Sequence, residues 1–328
     1  MPFSSDPETL SREGVTAEAI GLVRSDPSKP GWTRRRCGPG FTYKDGKGQT
    51  LKGKRAERCR ALVLPPAWED IWICPNPRGH IQATGRDEAG RLQYRYHPTW
   101  SAARNSAKFD DLIAFGHALP ELRRRVRHDL TYSDCPRELR LAAIVRLLDR
   151  GALRMGRKTY GAVSLRKSHV QIEGRKIICA YKGKGGTPRR VTVRDKLLAK
   201  TLDGLMAEKG AFLFRSRKVR PAAQDVNEYI QETLGLSFTA KDFRTWKGSV
   251  AAVNALARAE SVTVKAITHA AADALGNTPA IAKSSYIHPA ILDLARDKRR
   301  PHEVCEAAED LEDEALLLAV LEAVQPQA

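Results

Sequence analysis

The stretch His169–Val193 reads HVQIEGRKIICAYKGKGGTPRRVTV, and it lies between two long segments of helical period. Apolar and polar residues alternate along it, the pattern of half-buried strands. Turn chemistry interrupts the alternation at Glu173-Gly174-Arg175 and again at Gly183-Lys184-Gly185-Gly186. The two tight turns divide the stretch into a three-stranded antiparallel meander, with Lys184 in the second turn. A meander inserted among helices marks a mostly helical domain that carries a β insert.

Upstream, Asp110–Leu130 and Glu138–Gly156 place apolar residues at helical spacing, as at Leu141, Ile144, Val145 and Leu148. Pro136 suits a first helical turn, and Gly151 and Gly156 loosen or end the segment. Downstream, Asp195 is an N-cap candidate from which helices resume. The chain before about residue 98 reads differently. Ile71–Cys74 (IWIC), His80–Gly85 (HIQATG) and Leu92–His97 (LQYRYH) are short β-prone segments separated by PNPRG and RDEAGR. The expected fold class is therefore α+β. A flexible segment over 1–30 precedes a small, mostly β domain over 31–105, and a larger, mostly helical domain covers 106–328.

The 328 residues carry a net charge of +18. That excess asks for a polyanion, with nucleic acid before an acidic membrane surface. No apolar run reaches transmembrane length, and MPFSSDPETLSREG lacks a signal-peptide core, so a cytosolic protein is expected. Six scattered cysteines form no C-x-x-C pair, which reads as reduced thiols rather than a zinc or disulfide framework. Basic clusters stand at Arg34–Arg36, Arg123–Arg125 and Lys298–Arg300. The acidic tail from Glu303 to Gln325 reads as an amphipathic helix packed on its own domain through Leu311, Ala315, Leu318, Val320 and Leu321.

No metal cage and no P-loop is evident, since Gly183–Gly186 lacks the Ser/Thr and the helix signal. Phosphodiester chemistry on this chain would rest on cationic side chains as electrostatic stabilisers. Each candidate has two readings. Arg154 is an anion ligand or a partner for a helix C-terminus. Lys184 is a ligand-facing ammonium or a solvated hairpin lysine. Arg244, one turn beyond the N-cap candidate Thr239, is an anion ligand or a salt bridge to Asp242. Tyr286, in NTPAIAKSSYIHP (Asn277–Pro289), is a nucleophile or an amphipathic filler with a wet hydroxyl.

Taken together, four motifs resemble the type IB DNA topoisomerase family in its bacterial and poxvirus branch. LLDRGALRMGRKTYG (Leu147–Gly161) with SLRKSHV resembles its first arginine motif, and YKGKGG (Tyr181–Gly186) its lysine hairpin. KDFRTW (Lys241–Trp246) resembles its second arginine motif, and LGNTPAIAKSSYIHP (Leu275–Pro289) its tyrosine motif. LPPAWEDIWICPNPRGHIQATGRDEAGRLQYRYHPTW (Leu64–Trp100) is similar to that branch's β domain, so the likeness spans about 31–300.

The resemblance implies the catalytic fold of the tyrosine recombinase and type IB topoisomerase class. It implies that Tyr286 forms a 3′-phosphotyrosyl bond, that Arg154 and Arg244 hold the phosphate oxygens, and that Lys184 is the general acid. Asn277 stands where many members have histidine. An amide also donates a hydrogen bond, so a donor is kept, but no proton-transfer role remains. Gln93, Tyr94, Tyr96, Arg157, Tyr160 and Lys241 match DNA-contacting positions. The implied activity is relaxation of supercoiled double-stranded DNA without ATP, metal or other cofactor. The implied actor is a monomer encircling the duplex, cytoplasmic and nucleoid-associated.

Two rivals share this fold. A tyrosine recombinase usually carries His-x-x-Arg where Lys241 precedes Arg244, and its N-terminal region is usually helical. An inactive DNA-binding relative would not keep workable side chains at all five catalytic positions.

Overall fold

Backbone hydrogen bonding in the computed structural model describes residues 16–156, 159–183, 186–235, 238–258, 263–297 and 311–324, without the side chains of 105–108 and 110. The chain divides into two units, Met1–Lys108 and Phe109–Ala328.

The first unit is built on a five-stranded antiparallel sheet of order β2-β1-β3-β4-β5. Its strands are β1 (Trp32–Cys37), β2 (Gly40–Lys44), β3 (Glu69–Ile73), β4 (Ile81–Arg86) and β5 (Leu92–Tyr96). The three quoted β-prone segments become β3, β4 and β5. Helix α1 (Gly53–Ala61) follows β2 and buries Ala56 and Cys59 with Trp32, Tyr43, Ile71 and Ile73. Arg34 donates to the carbonyls of Leu64, Pro65, Pro66 and Trp68. This first member of the Arg34–Arg36 cluster therefore ties down a loop rather than facing outward.

The expected flexible segment over 1–30 needs correcting over 16–30, while 1–15 lie outside the described residues. Val23 bridges to Gly79, and the Ser25 N–H donates to His80 Nδ1 at 3.0 Å. Ala17 and Leu22 are buried with Trp100. Paired backbone groups and a buried leucine hold this segment despite its polar, Pro- and Ser-containing composition.

The division between units falls inside α2 (Pro98–Asp110). Long helices α3 (Leu112–Tyr132) and α4 (Pro136–Gly151) follow, and Pro136 opens α4 as its composition suggested. The meander is present as β6 (Val170–Glu173), β7 (Lys176–Lys182) and β8 (Pro188–Arg194), in that order. Asp195 accepts from the Leu198 N–H and caps α5 (Lys196–Ala207). The remaining helices are α6 (Ala223–Leu234), α7 (Asp242–Arg258), α8 (Val264–Leu275), α9 (Pro279–Ser285), α10 (Pro289–Leu294) and α11 (Asp313–Val324). The core runs through α3, α4 and α7, with Phe115, Leu141, Ile144, Leu148, Phe243 and Trp246 fully enclosed.

The Arg123–Arg125 cluster is spent on carboxylates. Arg123 pairs with Asp149 and Glu314, Arg124 with Glu121, and Arg125 with Glu232. Lys298–Arg300 lie outside the described residues, as do residues 301–310 of the acidic tail. The described tail helix α11 packs on α7 and α3, as expected, and Leu318, Val320 and Leu321 of the expected stripe face the core. Leu316, Leu317, Val320 and Leu321 are buried, whereas Leu311 and Ala315 are exposed. Glu314, in the first turn of α11, accepts from Arg123.

Candidate active site

Helix α4 ends because Ala152 turns into the left-handed region at φ 47°. That conformation costs a non-glycine residue about 1 kcal/mol, so its surroundings must hold it there. The Ala152 N–H closes on Leu148 O, and the Ala152 carbonyl accepts from the Arg244 guanidinium. Arg154 follows beyond the helix rather than at its last turn. Its main chain is stitched to the returning loop through Ala162 N–H on Arg154 O (2.8 Å) and Val163 N–H on Met155 O (3.1 Å). Its side chain donates to Asn277 Oδ1 at 2.5 Å.

Arg244 occupies the first turn of α7. Thr239 and Asp242 cap that turn reciprocally. The Asp242 carboxylate accepts from the Thr239 N–H at 2.7 Å, and the Thr239 hydroxyl accepts from the Lys241 N–H at 3.3 Å. The Arg244 guanidinium donates to Ala152 O, to Leu275 O (3.2 Å) and to Asn277 Oδ1 (3.2 Å). Ala152 and Leu275 stand at the C-terminal ends of α4 and α8. A cation there meets the negative ends of two helix dipoles as well as two orphan carbonyls. Burial pushes this guanidinium below the usual arginine range, and the adjacent Tyr286 opposes that shift. Arginine keeps its charge regardless.

Asn277 is aimed by the end of α8. Gly276 adopts φ 52°, and the Asn277 N–H closes back on Ala272 O at 3.0 Å, a Schellman motif. The Asn277 side-chain oxygen accepts from both arginines. Among the described residues, its Nδ2 is buried with no hydrogen-bond partner, and so is Arg244 Nε. Unsatisfied buried donors are rare and costly, and these two lie where Arg154, Arg244 and Asn277 meet.

The tyrosine stretch is a string of caps. Thr278 caps α9, Pro279 opens it, and His288 caps α10, which Pro289 opens. Tyr286 stands at the junction between those short helices, ahead of the fully buried Ile287. The Arg244 guanidinium lies 5.0 Å from the Tyr286 ring centroid. The Ser249 hydroxyl donates to Tyr286 O (3.3 Å) and accepts from the His288 N–H (3.1 Å). His288 Nδ1 accepts from Ala290 N–H, its ring packs edge-on against Phe109, and burial lowers its pKa to about 4. It is a structural cap, in line with the absence of any motif role.

Arg154, Arg244, Asn277 and Tyr286 thus meet in one place. Lys184 and Arg157 lie outside the described residues, although the hairpin around Lys184 is closed by Gly183 N–H on Thr187 O at 2.8 Å. Lys241 is exposed at the start of the α7 cap. Tyr160 is half-buried, edge-on to His169 and under Arg166. In the first unit, Tyr94 and Tyr96 stack at 5.8 Å along β5, and Gln93 donates to Asp87. Ser249 escaped the sequence reading, because a serine inside a helix carries no local mark of a tertiary clamp.

A family model described as "Eukaryotic DNA topoisomerase I, catalytic core" matches residues 97–289, which contain all four clustered residues. A second, "Bacterial DNA topoisomerase IB, N-terminal domain", matches residues 40–87. DNA topoisomerase 1B of Acanthamoeba polyphaga mimivirus is 30% identical over 289 residues, covering 80% of this chain and 86% of that protein. DNA topoisomerase I of Monkeypox virus is 23% identical over 255 residues, covering 72% and 77%. DNA topoisomerase 1B of Vaccinia virus (strain Copenhagen) is 22% identical over the same length. The two matched models lie in the chain order of the β-rich and helical units, and the chain belongs to the type IB DNA topoisomerases.

Proposed function

We propose that Tyr286 is the nucleophile with which this DNA topoisomerase opens one strand of duplex DNA. Its hydroxyl proton passes to solvent as its oxygen bonds to the scissile phosphorus, and the bond to the 5′-oxygen breaks, leaving a 3′-phosphotyrosyl link. Lys184 supplies the proton taken by the departing 5′-oxygen. The free end rotates, and its hydroxyl then attacks the same phosphorus and releases the tyrosine. The phosphotyrosyl bond retains the energy of the original diester, so the cycle needs no ATP.

The observation that carries this reading is the shared oxygen of Asn277, held by Arg154 and Arg244 beside Tyr286. Its buried Nδ2, with Arg244 Nε, supplies donors suited to a phosphorane oxygen. Asn277 acts as a donor alone, and Arg244 also faces the negative charge that develops on the phenolate. Gln93, Tyr94, Tyr96, Arg157, Tyr160 and Lys241 serve as DNA contacts. The enzyme acts as a monomer that encircles the duplex, in a cytoplasmic nucleoid.

Negatively supercoiled plasmid incubated with the protein in EDTA, without ATP, should relax, and Tyr286→Phe should abolish relaxation. A requirement for magnesium or ATP, or undiminished activity in the Phe variant, contradicts the mechanism. Strand exchange without relaxation of a plain plasmid would instead indicate a recombinase.

A further inference from the structure

A third guanidinium stands beside the Gly276–Asn277 turn. Arg189, the second residue of β8, stands directly opposite Tyr181 of β7. Its guanidinium lies on the α-carbon of Gly276, and a Cβ built there would stand 1.1 Å from Arg189 Nη1. Gly276 is the residue whose left-handed turn aims Asn277. The stem of Arg189 also passes Gly183 at the base of the lysine hairpin, with Cγ 3.4 Å from a Cβ built at that position. Arg189 therefore spans from the Lys184 hairpin to the Asn277 cap.

The cluster is electrically lopsided. Among the described residues, no carboxylate is ion-paired with Arg154, Arg189 or Arg244, whereas Arg123, Arg125, Arg140 and Arg146 each hold one. Burial pushes Arg189 below the usual arginine range. The Tyr181 hydroxyl pulls the other way, and the nearby Arg154 charge adds to the lowering. Like charges at such range repel, and a polar half-buried setting screens them little. An anion bound among them removes that cost, and it removes most for a species whose charge grows during reaction.

We propose that Arg189 is a further catalytic residue, a third guanidinium that holds a non-bridging oxygen of the scissile phosphate together with Arg154 and Arg244. The proposal rests on the reading of Tyr286 as nucleophile. The stem of Arg189 runs against Gly183, which puts its cation on the hairpin side of the phosphate. Arg189 closes that side while Lys184 attends to the leaving oxygen.

The test is single-turnover cleavage of a duplex by wild type, Arg189→Ala and Arg189→Met, the last keeping the apolar stem over Gly276. Cleavage by both variants should slow on the order of 10²-fold. DNA affinity should stay within about threefold, because the interaction strengthens only as charge develops. Replacing one non-bridging oxygen of the scissile phosphate with a methyl group removes the charge that Arg189 serves. On the better of the two methylphosphonate isomers the deficit should shrink to less than about threefold. An equal deficit on both substrates would assign Arg189 a purely structural role and overturn the proposal, as would wild-type rates on the phosphodiester. Adduct formation by wild type but not by Tyr286→Phe keeps the nucleophile reading standing even if Arg189 proves silent. Absence of any wild-type adduct removes both.

Discussion

The main-chain oxygen of Tyr286 lies 2.5 Å from the position a Cβ on Gly248 would take. The junction of α9 and α10 thus rests directly on the backbone of α7, the helix that carries Arg244. Gly248→Ala must push the tyrosine segment away from Arg244, because the obstructing atom is backbone and cannot rotate aside. A displacement near 1 Å is enough to cost about 10²-fold in rate. Quantifying the covalent adduct over time should show that loss, with DNA binding preserved. A wild-type cleavage rate would mean that the tyrosine does not depend on this contact.

Asn277 offers a sharper chemical test. Asn277→Asp places a carboxylate between Arg154 and Arg244 and removes the donor, so the arginines acquire an internal anion. Cleavage should fall by at least about 10²-fold, the scale of losing one oxyanion donor. Asn277→His keeps both an acceptor and a donor when neutral. Its rate should remain within about tenfold of wild type, comparable to a single weakened hydrogen bond. Pre-steady-state cleavage of both variants decides the matter, and equal rates for Asp and His would argue against a donor role.

Stability should fall in mild acid through His288. Its pKa in the folded state is about 4, depressed by burial, against 6.5 for an exposed histidine. The unfolded chain therefore binds the proton more readily between those values. The contribution of the neutral ring is fully present above pH 6.5 and is lost as pH falls towards 4. Protonation also ends its acceptance from the Ala290 N–H. His288→Asn keeps a capping acceptor and removes the titration. Urea melts at a series of pH values should show a shallower acid slope for that variant, and identical slopes would exclude His288 as the origin.

Removing residues 311–328 should destabilise the helical unit rather than release an inhibitor. Four apolar side chains of α11 leave the core, and Arg123 loses one of its two carboxylates. Each buried aliphatic side chain is worth about 1.5–3 kcal/mol, so the melting temperature should drop sharply or the protein should lose solubility. Glu314→Gln, which only weakens the Arg123 contact, should cost about 1–3 kcal/mol. A truncated protein with unchanged melting and raised activity would reverse this assignment.

The meander, the helix starts at Pro136 and Asp195, and the order of the basic motifs were legible from local chemistry. So was the cap at Thr239, although Asp242 proved to be its reciprocal partner. The segment 16–30 was not legible, because its order comes from Val23 and Ser25 pairing with Gly79 and His80 more than fifty residues away. The face of α11 was legible in part. Val320 and Leu321 are buried and Leu318 packs on the core, as periodicity marks them, whereas Leu311 and Ala315 are exposed and Leu316 and Leu317 are buried instead. The basic triplet at Arg123–Arg125 suggested a polyanion surface, but Glu121 pairs with Arg124 and carboxylates distant in sequence pair with Arg123 and Arg125.

From sequence alone, the chain is a basic two-part protein with a mostly β domain, a helical domain and a β insert. Those properties follow from side-chain period, turn residues and net charge, which act over a few residues. Tertiary structure decided what surrounds Asn277. Arg244 became a buried cation because the C-terminal ends of α4 and α8 meet at its guanidinium. Arg189 joined the site because Gly276 leaves room for it. Neither fact is local, since each depends on elements roughly 90 residues apart in sequence meeting within hydrogen-bond or van der Waals distance.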